Sequence, residues 1–109
     1  MNLKALIDPT LDIGVPGGAE LLTFCDMLLG SDLAALDRAR EALARTLGDP
    51  AVPAAAAIAG NFTKNDRIAN GCGIPVEPMV LRITKDIQEE LGLRSFRSAI
   101  NTFRNFPDE

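Results

Sequence analysis

Apolar residues recur along most of the chain at helical spacing. Residues 19–29 form the first such segment, in which the apolar positions follow an i, i+4, i+7, i+8 pattern at Leu21, Cys25, Leu28 and Leu29. This spacing places them on one face of a helix, which Gly30 is expected to end. No segment shows the alternation of apolar and polar residues that is typical of a strand. The pattern therefore predicts an all-α fold.

A second helix is predicted from Ser31, a favoured N-cap residue, to about Leu47. Gly48 is expected to end it, because glycine enters the left-handed conformation without a steric penalty. One face of this segment carries its leucines and the other face carries its charges; the leucines are Leu33, Leu36, Leu43 and Leu47. Such a division predicts one buried and one solvated face.

A third helix, built largely from small residues, is predicted to begin near Asp49-Pro50. An Asp N-cap followed by proline is a typical helix start, so Pro53 lies in the first turn unless the helix begins at Pro53 itself. The alanine-rich run 54–60 would let another helix approach closely. The helix is expected to end at Gly71 or Gly73. The residues expected to face inward are Ile58, Phe62, Asn65 and Ala69.

Two further helices are predicted in the last third of the chain. One runs from Pro78 to Gly92 with Thr84 and Gln88 on its apolar face, where both polar side chains need hydrogen-bond partners. The other begins near Ser95 and carries three apolar residues on one face: Phe96, Ile100 and Phe103. Prolines and glycines punctuate residues 1–18, which predicts an extended N-terminal arm with one short helical turn. The expected architecture is a compact bundle of about five short helices, forming a single domain over 19–109.

The amino-acid composition excludes several kinds of catalytic and metal-binding site. The chain has 109 residues and no His, Trp or Tyr. Without His, the Ser–His and Cys–His nucleophile pairs and the His-bearing zinc sites are excluded. The adjacent carboxylates Glu89 and Glu90 point apart on a helix, so they do not form an acid–base pair. No catalytic constellation, metal site or cofactor site is predicted.

Charge argues against nucleic acid as a partner. Eleven Lys and Arg stand against fifteen Asp and Glu, which gives a net charge of −4 and an acidic surface. The basic residues near the C-terminus (Arg94, Arg97 and Arg104) are interpreted as a solvated helix face, with a small anion or phosphate patch as the alternative. The N-terminus lacks the apolar run of a signal peptide, and no segment is long and apolar enough to span a membrane. A soluble, cytoplasmic protein is therefore expected.

The two cysteines, Cys25 and Cys72, are too far apart in sequence to form a C-x-x-C motif. Cys25 lies on the apolar side of a predicted helix, and Cys72 lies between two glycines at a helix end. Both are interpreted as structural or incidental thiols. A disulfide between them is expected only if the fold brings them together.

The densest polar grouping, residues 61–70, contains the candidate site. Arg67 is suited to holding a carboxylate or phosphate through two hydrogen bonds. The favoured interpretation, however, is that Arg67 pairs with an acidic residue of a neighbouring helix or subunit. A pocket between subunits, for a small organic acid, would be lined by Phe62, Asn65, Arg67 and Phe96.

One stretch resembles a known family. Residues 54–77 read AAAAIAGNFTKNDRIANGCGIPVE, and residues 87–99 read IQEELGLRSFRSA. Both are similar to the later helical half of alkylhydroperoxidase D-like proteins, in the carboxymuconolactone decarboxylase superfamily. The resemblance covers residues 31–104. The peroxidases of that family use a Glu-x-x-Cys-x-x-Cys helix and a following His, and this chain has neither the motif nor any His. The resemblance thus implies the non-catalytic half of such a fold, without peroxidase or decarboxylase activity.

Three functions follow from these observations. The favoured hypothesis is a non-catalytic interaction or scaffold module that forms a homo-oligomer, a dimer or larger. The first alternative is a binder or enzyme for a small organic acid, with its pocket between subunits. The second alternative is a thiol-dependent redox protein that uses Cys25 or Cys72.

Overall fold

The computed structural model describes residues 1–109, and its regular elements are all helical. The six α-helices are α1 Gly18–Leu29, α2 Leu33–Leu47, α3 Ala51–Cys72, α4 Pro78–Ile83, α5 Lys85–Glu90 and α6 Ile100–Phe103. Short 3₁₀ turns occur at Leu3–Leu6, Leu93–Ser95 and Arg97–Ala99. The all-α prediction is confirmed.

Contacts divide the chain into two units, Met1–Phe62 and Thr63–Glu109. The helix α3 runs through the boundary, so its first half belongs to the first unit and its second half to the second. The expectation of one helical domain over 19–109 stays a prediction.

The core of the first unit lies between α1, α2 and the start of α3. Its most deeply buried side chains are Phe24, with 2% of its surface exposed, and Leu43, with none. Ala39 and Ala55 complete the cluster. Of the stripe predicted for α1, Leu21 and Leu28 pack against this core and Cys25 is half-buried, but Leu29 is exposed and its prediction is wrong. The pattern missed Phe24, which lies on the same face as Leu21 and Leu28.

The helix α2 begins one residue later than predicted. Asp32, not Ser31, is its N-cap, and the Asp32 carboxylate accepts a hydrogen bond of 2.9 Å from the amide of Ala35. A carboxylate at this position also faces the positive end of the helix dipole, which favours Asp over Ser. Leu33, the first residue of α2, is 75% exposed and takes no part in the core.

The N-terminal segment contains the expected short turn, at Leu3–Leu6. Ala5 and Ile13 are buried, and the amide of Asn2 donates a hydrogen bond of 2.9 Å to the carbonyl of Ile13. This bond closes residues 2–13 into a loop whose last apolar residue meets the start of α1.

Gly18, the first residue of α1, is where that loop meets the helix. A Cβ atom at this position would lie 2.3 Å from Cγ2 of Ile13, well inside van der Waals contact. Gly18→Ala is therefore expected to lower the free energy of unfolding by about 1–3 kcal/mol, because Ile13 must move out of its packed position. Urea unfolding followed by circular dichroism measures this. In an Ile13→Ala background the same Gly18→Ala change should cost less than it does in the wild type, because the clashing methyl group is gone. A single Gly18→Ala variant as stable as wild type would contradict the packing.

The helix α3 begins at Ala51, so Pro53 lies in its first turn, as one of the two predicted alternatives required. It ends at Cys72. Gly73 adopts a left-handed φ of 67°, its amide donates to the carbonyl of Asn70, and the amide of Ile74 donates to the carbonyl of Ala69. These two bonds form a Schellman cap.

The expectation that Ile58, Phe62 and Asn65 face inward is wrong. Ile58 is 61% exposed, Phe62 is 64% exposed, and Asn65 is exposed as well. The α1–α2 core covers only the first turns of α3, where Ala55 is buried and three neighbours are partly buried (Ala51, Val52 and Ala56). The apolar face of α3 is longer than the surface that packs on it.

In the second unit, the helix predicted from Pro78 to Gly92 is split in two at Thr84. Its hydroxyl donates a hydrogen bond of 2.7 Å to the carbonyl of Val80, a contact that tends to bend helices. The buried amide of Gln88 donates to the carbonyl of Leu81 at 2.7 Å and to the Thr84 hydroxyl at 2.9 Å. The two polar side chains thus satisfy each other at the break.

The last predicted helix is reduced to two 3₁₀ turns and α6. Phe96 and Ile100 are exposed, and Phe103 is half-buried. The Arg94 guanidinium lies over the Phe103 ring, with its carbon 4.9 Å from the ring centre. Thr102 is buried, and its hydroxyl accepts a hydrogen bond of 2.9 Å from the amide of Val76. Polar contacts therefore hold much of this short segment in place.

Candidate functional site

The four predicted site residues lie on two elements. Phe62, Asn65 and Arg67 lie on α3, and all three are exposed. Phe96 caps the 3₁₀ turn Leu93–Ser95 and is 61% exposed. None of the four is held in a buried environment within the single chain.

The helical geometry of α3 separates Arg67 from the other two. At about 100° per residue, Phe62 and Asn65 lie about 60° apart and share a face. Arg67 lies about 140° from Phe62, towards the opposite side of the helix. Arg67 also makes no ion pair within the chain, so its suggested pairing with a neighbouring helix is not found here. If Arg67 binds a carboxylate, the other residues of that binding site must come from outside α3.

A continuous line of residues runs along the face that Phe62 and Asn65 share. It comprises Ile58, Phe62, Asn65, Ala69 and Cys72, and we call it the α3 seam. Ala69 is half-buried, and the other four residues are exposed. Phe62 and Ala69 follow Ala55, which is buried in the α1–α2 core, at intervals of seven residues.

Sequence reasoning placed four seam residues on one line but did not include Cys72. The signal was available, because Cys72 follows Ala69 by three residues, as Asn65 follows Phe62. The alternating spacing of four and three residues is a heptad pattern.

Exposed apolar side chains are also frequent in the second unit, where Leu81 is the one buried hydrophobic residue. Those at least half exposed are Ile68, Ile74, Met79, Ile83, Phe96 and Ile100. A unit with so small an apolar core has little hydrophobic stabilisation of its own.

The total solvent-exposed area of the chain is large for its size. The chain exposes 7829 Å² in total. Two separate globular proteins of the size of the two units would together expose about 7,000 Å². The chain therefore exposes about 800 Å² more than two compact proteins of that size.

Both cysteines are free, and their environments differ. Cys72 is exposed at the end of α3. Cys25 is half-buried on α1, where burial raises the pKa of its thiol and the nearby Asp26 carboxylate raises it further. A raised pKa leaves less thiolate at neutral pH, which disfavours Cys25 as a nucleophile.

We expect Cys25 to be alkylated about tenfold more slowly in the folded protein than in urea at pH 8, because both burial and the scarcity of thiolate slow the reaction. The experiment uses a Cys72→Ser variant, iodoacetamide and mass spectrometry. Asp26→Asn should restore only a small part of the rate, since burial is the larger cause. Equal rates in folded and unfolded protein would contradict the assignment.

The remaining titratable groups do not assemble into a metal centre. No group of three or more Cys, Asp or Glu side chains is placed to hold a metal ion. The ion pairs that the chain forms, such as Arg82 with Glu109 at 2.7 Å, lie at the surface. None of its helices combines the length and the apolar character needed to cross a bilayer.

Comparison with known proteins identified no relative of this chain. No family model matches the chain, and searches of curated proteins and of solved structures returned no match. The function has to be argued from the chain itself, and its most distinctive feature is the uncovered apolar surface.

Proposed function

We propose that this chain is a non-catalytic, all-α interaction module that works as a homo-oligomer. The observation that carries the proposal is the excess of exposed surface. A standard protein–protein interface buries about 800 Å² on each partner, and the chain exposes about 800 Å² beyond two compact proteins of the size of its two units. A second copy can cover that excess with surface that is apolar on both sides.

The distribution of apolar residues supports the same proposal. Monomeric proteins seldom expose large contiguous apolar surfaces, and those that exist mark interaction sites. Here Ile58 and Phe62 stand exposed on a helix whose first turns are already packed in a core. The function proposed for the module is to present this surface, in a cytoplasmic protein, to further copies of itself.

The proposed kinship with alkylhydroperoxidase D-like proteins belongs to the same hypothesis. Its support is the helix and loop at residues 54–77, which form the long helix α3 and the following extended segment. On this hypothesis the chain corresponds to a helical half that carries packing surface and no redox centre.

The oligomer is preferred to the two alternatives for stated reasons. Because α3 turns Arg67 away from Phe62 and Asn65, an organic-acid pocket would need Arg67 of one copy to meet Phe62 and Asn65 of another. A thiol-dependent mechanism needs a reactive cysteine with a partner, whereas the Cys25 thiol has a raised pKa and Cys72 is a lone exposed thiol.

Thermal unfolding at two protein concentrations tests the proposal. Association stabilises a folded oligomer by mass action, so raising the concentration from 1 to 100 µM is expected to raise Tm by about 5 °C or more. Circular dichroism is the suitable probe, because the chain has no Trp or Tyr. The same Tm at both concentrations would show that the chain folds alone and would overturn the proposal.

A further inference from the structure

We infer that Arg82 and Arg94 form a binding site for a glutamate-containing peptide segment, and that residues 106–109 of the same chain occupy this site. Every residue that forms it lies in the second unit, Thr63–Glu109, so the site does not depend on the proposed homo-oligomer. It gives the second unit a binding surface that recognises charge and main chain instead of apolar area.

The two arginines reach Glu109 from different elements. On α4, Nε of Arg82 donates to both carboxylate oxygens of Glu109, at 3.1 and 3.2 Å, and a terminal nitrogen donates to Oε1 at 2.7 Å. From the 3₁₀ turn Leu93–Ser95, the Arg94 guanidinium donates to the main-chain carbonyl of Glu109 at 3.1 Å. The first contact has the forked geometry that suits a carboxylate. Because the second contact binds the main chain of the same residue, the pair recognises a peptide glutamate and not only a negative charge.

Both arginines are positioned by other parts of the second unit. The Arg94 guanidinium carbon lies 4.9 Å from the centre of the Phe103 ring, within the range of a cation–π contact. Arg82 follows the buried Leu81, whose carbonyl accepts a hydrogen bond of 2.7 Å from the Gln88 amide. Packing and hydrogen bonding therefore fix the backbone that carries Arg82, and a ring supports Arg94.

The segment 106–109 forms a turn that brings its glutamate to the arginines. Pro107 stands at the second position of the turn, which its fixed φ favours, and the amide of Glu109 donates to the carbonyl of Phe106 at 3.3 Å. The Glu109 side chain is only 23% exposed, whereas glutamate side chains are mostly solvated. Its carboxylate occupies the place that the carboxylate of a bound peptide would take.

The segment is held loosely enough to be displaced. Arg82 is 67% exposed, and exposed ion pairs contribute little to stability. The segment occupies the site chiefly because it is tethered beside it, at an effective concentration in the millimolar range. It thus acts as an internal competitor, and a partner segment with the same chemistry binds fully only when residues 106–109 are released.

Fluorescence anisotropy with a labelled peptide tests this. The probe is Asn-Phe-Pro-Asp-Glu, the sequence of residues 105–109, with fluorescein at its amino end and an amide at the other, so that it offers only side-chain carboxylates. Glu109→Gln in the full chain removes the competing carboxylate and is expected to bind the probe about fivefold or more tightly than wild type does. Asp108→Asn makes the same change of charge at an exposed residue outside the site, and it should alter the affinity less than twofold. Equal effects of the two substitutions would overturn the inference.

Two further comparisons identify the groups that bind. A probe with Gln in place of its Glu should bind the Glu109→Gln protein about tenfold more weakly, because the forked contact is lost. In the Glu109→Gln background, Arg82→Ala should weaken binding of the original probe by about tenfold, whereas Arg97→Ala, at an exposed arginine nearby in the chain, should weaken it less than twofold. Equal losses would mean general attraction to basic residues and would contradict the site. The comparison of the two probes uses one protein, so it decides the matter even if Arg82→Ala does not fold.

Sedimentation velocity on the same variants separates this inference from the proposed function. Because the segment occupies the site of its own chain, Glu109→Gln should leave the mass of the oligomer unchanged. A loss of association in this variant would mean that the segment is exchanged between copies and would overturn the occupancy inferred here. A monomeric wild type that shows the expected peptide binding would contradict the proposed function alone, and an oligomer without that binding would contradict this inference alone.

Discussion

Phe24→Ala is expected to lower the free energy of unfolding by about 3–5 kcal/mol. The Phe24 ring is 2% exposed and packs with Leu43, Ala39 and Ala55. Removing it leaves a cavity, because the small side chains around it cannot move in to fill the space. Small proteins have total stabilities of about 5–15 kcal/mol. The loss is therefore a large part of the total, and urea unfolding by circular dichroism at fixed protein concentration should show it.

Leu33→Ala is the matched control for this prediction. Leu33 lies on α2 of the same unit but is 75% exposed, so its truncation should change the free energy of unfolding by no more than about 0.5 kcal/mol. If Phe24→Ala and Leu33→Ala destabilised the protein equally, the core described here would be wrong.

Phe62→Asp is expected to have the largest effect on association. The proposed oligomer covers the exposed apolar face of α3, so a charged side chain at position 62 would be left unpaired there and should raise the dissociation constant by about 100-fold or more. The helix content of the chain should remain, because Phe62 is exposed within the single chain. Sedimentation velocity measures association, and circular dichroism measures helix content.

The control for Phe62→Asp is again at Leu33. Leu33→Asp makes the same kind of change at an exposed residue at the start of α2, where an acidic side chain suits the helix dipole. It should leave association unchanged. An oligomer that tolerated Phe62→Asp as well as Leu33→Asp would not be held by the seam.

Much of the helical architecture could be predicted from the sequence, because helix ends depend on local chemistry. Gly30 and Gly48 follow α1 and α2, Gly73 ends α3 through its left-handed φ, and Pro78 begins α4. These residues act through their own backbone preferences, which do not depend on the rest of the fold. The break at Thr84 was not predicted, because it requires the hydroxyl to bond its own helix and Gln88 to cover the freed polar groups.

The candidate site was predicted less well, for a tertiary reason. The spacing of Ile58, Phe62 and Asn65 correctly placed them on one face of α3. Whether that face is covered depends on how far the α1–α2 core extends along α3. The spacing of residues within one helix does not predict that extent. The heptad spacing that includes Cys72 distinguishes a face suited to another helix, but it cannot say whether the partner belongs to the same chain or to another copy.

Sedimentation of the unmodified chain tests the central claim most directly. The account predicts a species of at least twice the 11.6 kDa chain mass at about 10 µM, within the range of ordinary specific complexes. The mass of a single folded chain at that concentration, with the helix content of the native protein, would contradict it.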